Sequence, residues 1–145
     1  MKKFLIYFLP LLVIGFLTSC SEDDENMVPT ENLPEIEVTG IEDGMITGAV
    51  TIKATAENKI ESFVINLTAL NFGDIDLAKQ PSELTAPVFE FLGVNYEEVY
   101  GATEYAVTIS ETALILLPAG NGTIPVTVTD QQGGSTTVTI EYTKE

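Results

Sequence analysis

Ile124-Pro125-Val126-Thr127-Val128-Thr129-Asp130-Gln131-Gln132-Gly133-Gly134-Ser135-Thr136-Thr137-Val138-Thr139-Ile140-Glu141-Tyr142 is the most legible stretch of this 145-residue chain. Ile124, Val126 and Val128 alternate with Pro125, Thr127 and Thr129, and beyond the polar break Val138, Ile140 and Tyr142 alternate with Thr137, Thr139 and Glu141. A period of two places each apolar set on one face of an extended strand. β-Branched residues suit that half-buried, pleated surface. The stretch therefore predicts a closing antiparallel hairpin, with two glycines supplying the positive φ values of a tight turn. Pro125 has no N–H to donate, which puts it near a strand start or an unpaired edge.

The same alternation runs upstream from Ile36. Val50, Ile52, Ala54 and Ala56 interleave with Thr51, Lys53 and Thr55; Phe63, Ile65 and Leu67 with Val64, Asn66 and Thr68; Tyr105, Val107 and Ile109 with Ala106 and Thr108. Gly, Asn and Asp separate these runs, as turns require. One region reads differently. Thr85 can cap a short helix from Ala86 and Pro87, with Val88, Phe91 and Leu92 on one face and Gly93 as the stop; an alternative start is Ser82, with Pro87 bending the helix. Ala113 to Leu117, ended by Pro118, reads as a helical turn that lids one end of a sheet. Six or seven short strands and a closing hairpin predict a mostly β chain: an antiparallel β-sandwich with one or two short helical segments.

The segments 127–130 and 137–140, joined through Gly133-Gly134, resemble the last two strands of bacterial immunoglobulin-like modules. The resemblance implies an immunoglobulin-like architecture for residues 36–145. The Cys and Trp hallmarks of antibody domains are missing, so only the architecture carries over.

The amino terminus carries an address. Met1-Lys2-Lys3 precedes an apolar run from Phe4 to Leu17, interrupted only by Pro10 and Gly15. That run falls short of the roughly 20 residues a bilayer span needs and fits the apolar region of a secretory signal. Leu17-Thr18-Ser19-Cys20 resembles the lipobox of bacterial lipoproteins. The resemblance implies cleavage of residues 1–19, diacylation of the Cys20 thiol and acylation of its new α-amine. The alternative, an uncleaved anchor, wants a longer span and basic residues behind it, whereas Ser21-Glu22-Asp23-Asp24-Glu25 follows. That acidic run resembles the export signal of surface lipoproteins in Bacteroidota, which implies outer-membrane, cell-surface display; it also reads simply as a solvated charge run. Residues 20–35, with six acids, Pro29 and Pro34, make an acidic flexible tether of about 20 Å reach. Two or three acyl chains on Cys20 hold a protein stably, where one holds only marginally.

Composition narrows the chemistry. The chain has six Lys, no Arg, no His, no Trp, one Cys and 22 acidic residues, for a net charge of −16. Without residues 1–19, four Lys face the same 22 acids, a net −18. Nucleic acid is excluded as a partner by charge, and lipidation of Cys20 leaves no thiol for a disulfide, a nucleophile or a metal. Acid/base chemistry falls to carboxylates, Tyr and Lys. Glu97 with Glu98, or Asp74 with Asp76, form candidate pairs, each equally well read as solvated loop charges, so no enzyme, cofactor or metal site is expected. For calcium, Asp74-Ile75-Asp76 and Glu42-Asp43-Gly44 are loop candidates without an established calcium-loop pattern. Asp130, at a strand end where sandwich domains sometimes hold ions, is a third calcium candidate, with the reading as a turn residue bonding its own backbone preferred over it. Tyr96 and Tyr100, flanking Glu97-Glu98-Val99 in a glycine-bounded loop, could bind a glycan together with Phe72, or cover the open end of the domain. The sequons Asn66-Leu67-Thr68 and Asn121-Gly122-Thr123 read as chance matches. The function expected from sequence is a lipid-anchored, non-catalytic interaction or scaffold module of an envelope assembly, with a surface glycan-binding lipoprotein as the alternative. Its partners are then the membrane, through the acyl chains on Cys20, and an envelope protein or glycan.

Overall fold

The computed structural model describes residues 32–145. The signal, Cys20 and the acidic run 21–25 lie outside the described residues. The chain is mostly β: β1 (Glu35–Glu42), β2 (Met45–Thr55), β3 (Ile60–Asn66), β4 (Asp74–Asp76), β5 (Glu104–Ile109), β6 (Gly120–Asp130) and β7 (Ser135–Lys144). Three short helices interrupt them: α1 (Ala86–Leu92), α2 (Tyr96–Val99) and α3 (Glu111–Leu114). Pro34 is already fully buried just ahead of β1.

The strands form two antiparallel ladders, β1–β2–β5 and β4–β3–β6–β7. One parallel bridge, Met45 opposite Thr143, joins them into an open mixed sheet. The Thr143 N–H donates to the Gly44 carbonyl at 2.7 Å to close that bridge. The alternating sets fall as periodicity requires. Val50, Ile52, Ala54 and Ala56 of the first ladder, and Phe63, Ile65, Val126 and Val128 of the second, belong to one buried cluster. On the outer faces, hydroxyls pair across strands: Thr51 with Thr108 at 3.0 Å, Thr127 with Thr137 at 2.8 Å and Thr129 with Ser135 at 3.1 Å. Each such cross-strand pair adds roughly 0.2–1 kcal/mol.

The closing hairpin forms in the expected register, Thr129 opposite Ser135 through Gly120 opposite Lys144. The two glycines of its turn do different jobs. Gly133 has φ +88°, but Gly134 does not need a positive φ; a Cβ there would sit 2.9 Å from Asp130 Oδ2. Gly134 is small because the Asp130 carboxylate lies against it.

Pro125 sits inside β6, opposite Thr139. The Asp130 N–H donates to Gly134 across the hairpin, so by strand alternation the even-numbered amides face β7 and the odd-numbered ones face β3. Pro125 therefore falls on the β3 side, and the β3–β6 ladder ends one residue away at Ile65 opposite Val126. The missing N–H sits at an unpaired edge and marks where β3 is released.

Other expectations are corrected. Asp74-Ile75-Asp76 is not loop but β4, paired with Val64 to Asn66. The Tyr96 to Tyr100 segment is a helical turn rather than a loop, and it raises the helix count above the one or two expected. Ahead of α1, Ser82 and Thr85 form a reciprocal box: the Ser82 N–H donates to Thr85 Oγ1 at 2.9 Å and the Thr85 N–H to Ser82 Oγ at 3.3 Å. The turn starts at Ser82, α1 proper at Ala86, and Thr85 makes no side-chain cap to α1. The helix therefore starts at Ala86, and the alternative start at Ser82 is only a turn ahead of it.

Candidate functional site

Apolar residues at the ends of the strands need covering, and the cover here is incomplete. Ile65 and Leu67 at the end of β3, Ile109 at the end of β5 and Ile124 in β6 form the floor of a cavity of about 200 Å³. Val88, Phe91 and Leu92 of α1 form one wall; Leu70 and Phe72, from the turn after β3, form another. Ala113 and Leu114 of α3, then Leu116 and Leu117, close a third. The expected i, i+3, i+4 face of α1 exists, but it faces this cavity, and Phe91 stays 48% exposed while Phe89 enters the core instead. Phe72 is 46% and Leu116 62% exposed, so the mouth is rimmed by large apolar groups facing water. No charged or hydrogen-bonding side chain lines the cavity.

Local chemistry fixes the lid. Ser110 caps α3, its Oγ accepting from the Ala113 N–H at 3.2 Å. Lys144 Nζ donates to the carbonyls of Ile115, at 2.5 Å, and Leu117, at 2.6 Å, which ties the end of β7 to the chain leaving α3. Ammonium donors at the end of a helical turn satisfy carbonyls left without intrahelical partners. The Ala113–Leu117 piece reads from sequence as a helical turn lidding one end of a sheet, and it stands at that place here. The signal passed over in that reading is Ile115-Leu116-Leu117, more consecutive apolar residues than one buried face can use; Ile115 and Leu116 point outward.

Tyr96 and Phe72 line different recesses. Tyr96 opens α2, half-buried, in a separate shallow recess with Pro81, Phe89 and Val94, whereas Phe72 lines the apolar cavity. Tyr96 Oη donates to Glu97 Oε1 at 3.3 Å, and the charge of Glu97 raises the phenol pKa. Tyr100 stands 54% exposed beyond the helical turn. Asn95 caps α2 by accepting from the Glu97 N–H at 3.2 Å, which leaves Glu97 and Glu98 exposed in its first turn.

The remaining carboxylates hold structure. Asp130 is completely buried and accepts from the Gly134 N–H at 2.7 Å, the Gln132 N–H at 2.9 Å and Asn58 Nδ2 at 3.1 Å. It is the turn residue the sequence suggested, with Asn58 added from another loop. Asp76 accepts from Ser62 Oγ at 2.9 Å, the N–H groups of Phe63 and Ala78, and Lys79 Nζ at 3.0 Å. Burial pushes the Asp76 carboxyl up, but these donors outweigh it and hold its pKa below the ordinary value. Asp74 accepts from Asn66 Nδ2 at 2.7 Å. Asp43 and Gly44 form the two-residue turn between β1 and β2. Among the described residues, no three metal-ligating side chains converge.

No protein-family model, curated protein or solved structure matches this chain. The cavity therefore has to be read from its own chemistry. A pocket without polar groups gives sugar hydroxyls nothing to bond, and burying them unpaired costs free energy. Its size slightly exceeds an engineered cavity of about 150 Å³ that takes up benzene. It accommodates one aromatic ring or one branched aliphatic side chain.

Proposed function

We propose that this chain is a lipid-anchored surface protein whose folded part, an immunoglobulin-like sandwich of the two ladders, is a non-catalytic module that binds a protein partner at the apolar cavity. Both ladders contribute buried residues to one apolar core, which supports the sandwich reading. The cavity with its exposed rim of Phe72, Phe91 and Leu116 carries the functional reading. Contiguous exposed apolar surface around a concave site marks interaction surfaces. No titratable side chain lines it, which favours binding over catalysis.

Position supports the anchor reading. The chain enters β1 at Glu35, level with Thr55 and Glu104, while Ile109 at the other end of β5 lines the cavity. Five residue steps along β5 separate those levels by about 17 Å. A tether leaving from Glu35 toward a membrane leaves the cavity at the far end, available to a partner.

Two experiments test the reading. Metabolic labelling with a palmitate analogue is expected to tag the protein in cells but not its Cys20→Ala variant; label that persists defeats the anchor. Titration of the lipid-free mature chain (residues 20–145, Cys20→Ser) with N-acetylphenylalanine amide, followed by NMR, is expected to shift Leu70, Phe91 and Leu116 signals. Shifts confined to Tyr96 and Tyr100 would remove the cavity as the site.

A further inference from the structure

Apart from the cavity, the outer edge of β7 offers a second surface. The unpaired backbone groups of a strand edge recruit another strand unless the edge is short, bent, charged or covered. Three edges here are blunted in those ways. β1 carries Glu35, Glu37 and Glu42 and breaks register between Thr39 and Ile41. β4 has only three residues. β5 begins at Glu104, paired with Lys53 at 3.0 Å, and lies against α1.

β7 has none of these devices over residues 135–140. Between Glu111 and Glu141 the one ionisable residue is Asp130, and it is buried. In a chain of net charge −16, the β6–β7 hairpin thus turns hydroxyls outward instead of charge. The Asp130 N–H bond to Gly134 sets the even-numbered amides of β7 toward β6, so the odd-numbered ones face away. Thr143 follows that rule by donating to Gly44. Among the described residues, the outward groups of Ser135, Thr137, Thr139 and Glu141 have no backbone partner. The inner face thins at the same place: Ile140 and Tyr142 are buried, whereas Thr136 and Val138 are only half-buried.

We propose that β7 pairs with β7 of a second copy of this chain, antiparallel and centred on Val138. The unpaired window fixes the register, since it runs from Ser135 to Glu141 and Thr143 is already engaged. About a two-fold axis at its midpoint, Thr137 of one copy exchanges hydrogen bonds with Thr139 of the other, and Ser135 with Glu141. Val138 meets its own counterpart across a non-hydrogen-bonded pair, which covers the half-buried inner face. The charge pattern selects a second copy as the occupant. Each mature chain carries a net −18 from four Lys against 22 acids, so identical chains need a strip where no like charges stand opposite. β7 supplies that strip, and the outer threonines repeat across the axis the pairing that Thr127 and Thr137 make within the hairpin.

The test uses the complete lipid-free mature chain with Cys20→Ser, which has no other thiol. One strand pair buries less than the ~1,200 Å² of a stable interface, so sedimentation equilibrium is run up to about 1 mM chain, where dimer is expected. Thr139→Pro removes an outward N–H, spares the β6–β7 ladder and abolishes the dimer without moving the urea midpoint. Should that variant fail to fold, Thr139→Glu serves: it weakens the dimer at about 10 mM ionic strength and recovers it at about 1 M. Register is read by oxidation with diamide. The two Cα atoms of a non-hydrogen-bonded pair stand about 4.5 Å apart, within disulfide reach, whereas position 136 and its counterpart are about 14 Å apart along the ladder. Val138→Cys is therefore expected to cross-link at least about tenfold faster than Thr136→Cys. Equal rates overturn the inference. A dimer that survives Thr139→Pro but is lost in Phe91→Ser overturns it by moving the contact to the cavity. Thr137 and Thr139 amides protected from hydrogen exchange at every dilution overturn it by showing that the chain covers its own edge. A chain that stays monomeric yet takes up N-acetylphenylalanine amide overturns it and leaves the cavity reading standing.

Discussion

Replacing Asp130 by Ala tests the most concentrated set of interactions in the fold. The carboxylate is fully buried and accepts three hydrogen bonds, from Gly134 N–H, Gln132 N–H and Asn58 Nδ2. Hydrogen bonds to a charged acceptor contribute about 1.5–3 kcal/mol each, and a buried donor left without a partner costs about 1–3 kcal/mol. Gln132 is exposed and Asn58 half-exposed, so water can rescue their donors; buried Gly134 has no such recourse. The loss is therefore dominated by Gly134 and totals about 3–5 kcal/mol. Urea unfolding of the lipid-free mature chain should show a midpoint lowered by about 2–4 M with little change in slope. Asp130→Asn keeps an oxygen for both backbone donors and should lose about half as much. A wild-type midpoint insensitive to calcium and to EDTA would agree with a structural carboxylate. An Ala variant within about 1 kcal/mol of wild type, or an Asn variant as damaged as Ala, would refute the assignment.

Three further outcomes follow from the structure. Because Asp76 has its folded pKa held below the ordinary value of 3.8, its stabilisation is present above that pH and is lost as pH falls through the folded value; Asp76→Asn should be less stable at pH 7, and urea midpoints of the two proteins should converge in strong acid. Gly40 sits at the β1 bulge with φ +92°, and a Cβ there would overlap the Ala49 carbonyl, so Gly40→Ala should lower thermal stability by about 3 kcal/mol. Tyr96→Ala combined with Tyr100→Ala should leave any peptide binding at the cavity unchanged and produce no change on a glycan array; loss of a glycan signal would restore the tyrosine site.

Much of the fold was legible because it is local. The apolar faces of β2, β3 and β6, the closing hairpin and the α1 turn each follow from residues near one another in sequence, where period and turn chemistry act. Asp130 was readable as a turn residue for the same reason. β4 escaped because three residues are too few to display a period. α2 escaped because its glycine-bounded flanks read as loop and its four residues are too few to display a helical period. The role of Gly134 was hidden because the constraint on it comes from the Asp130 side chain folding back, not from its own backbone.

The sequence by itself determined which residues of β2, β3 and β6 face inward, where the closing hairpin turns, and that the chemistry available is that of carboxylates and apolar surface. It could not determine that Ile65, Ile109 and Ile124 line one cavity, or that Phe72, Phe91 and Leu116 line it with them. Periodicity assigns a side chain to a face but says nothing about which strands end at the same level. That depends on long-range register and on the single bridge between Met45 and Thr143. The candidate site exists only where those ends converge, because a cavity is a relation among distant segments rather than a property of any one of them.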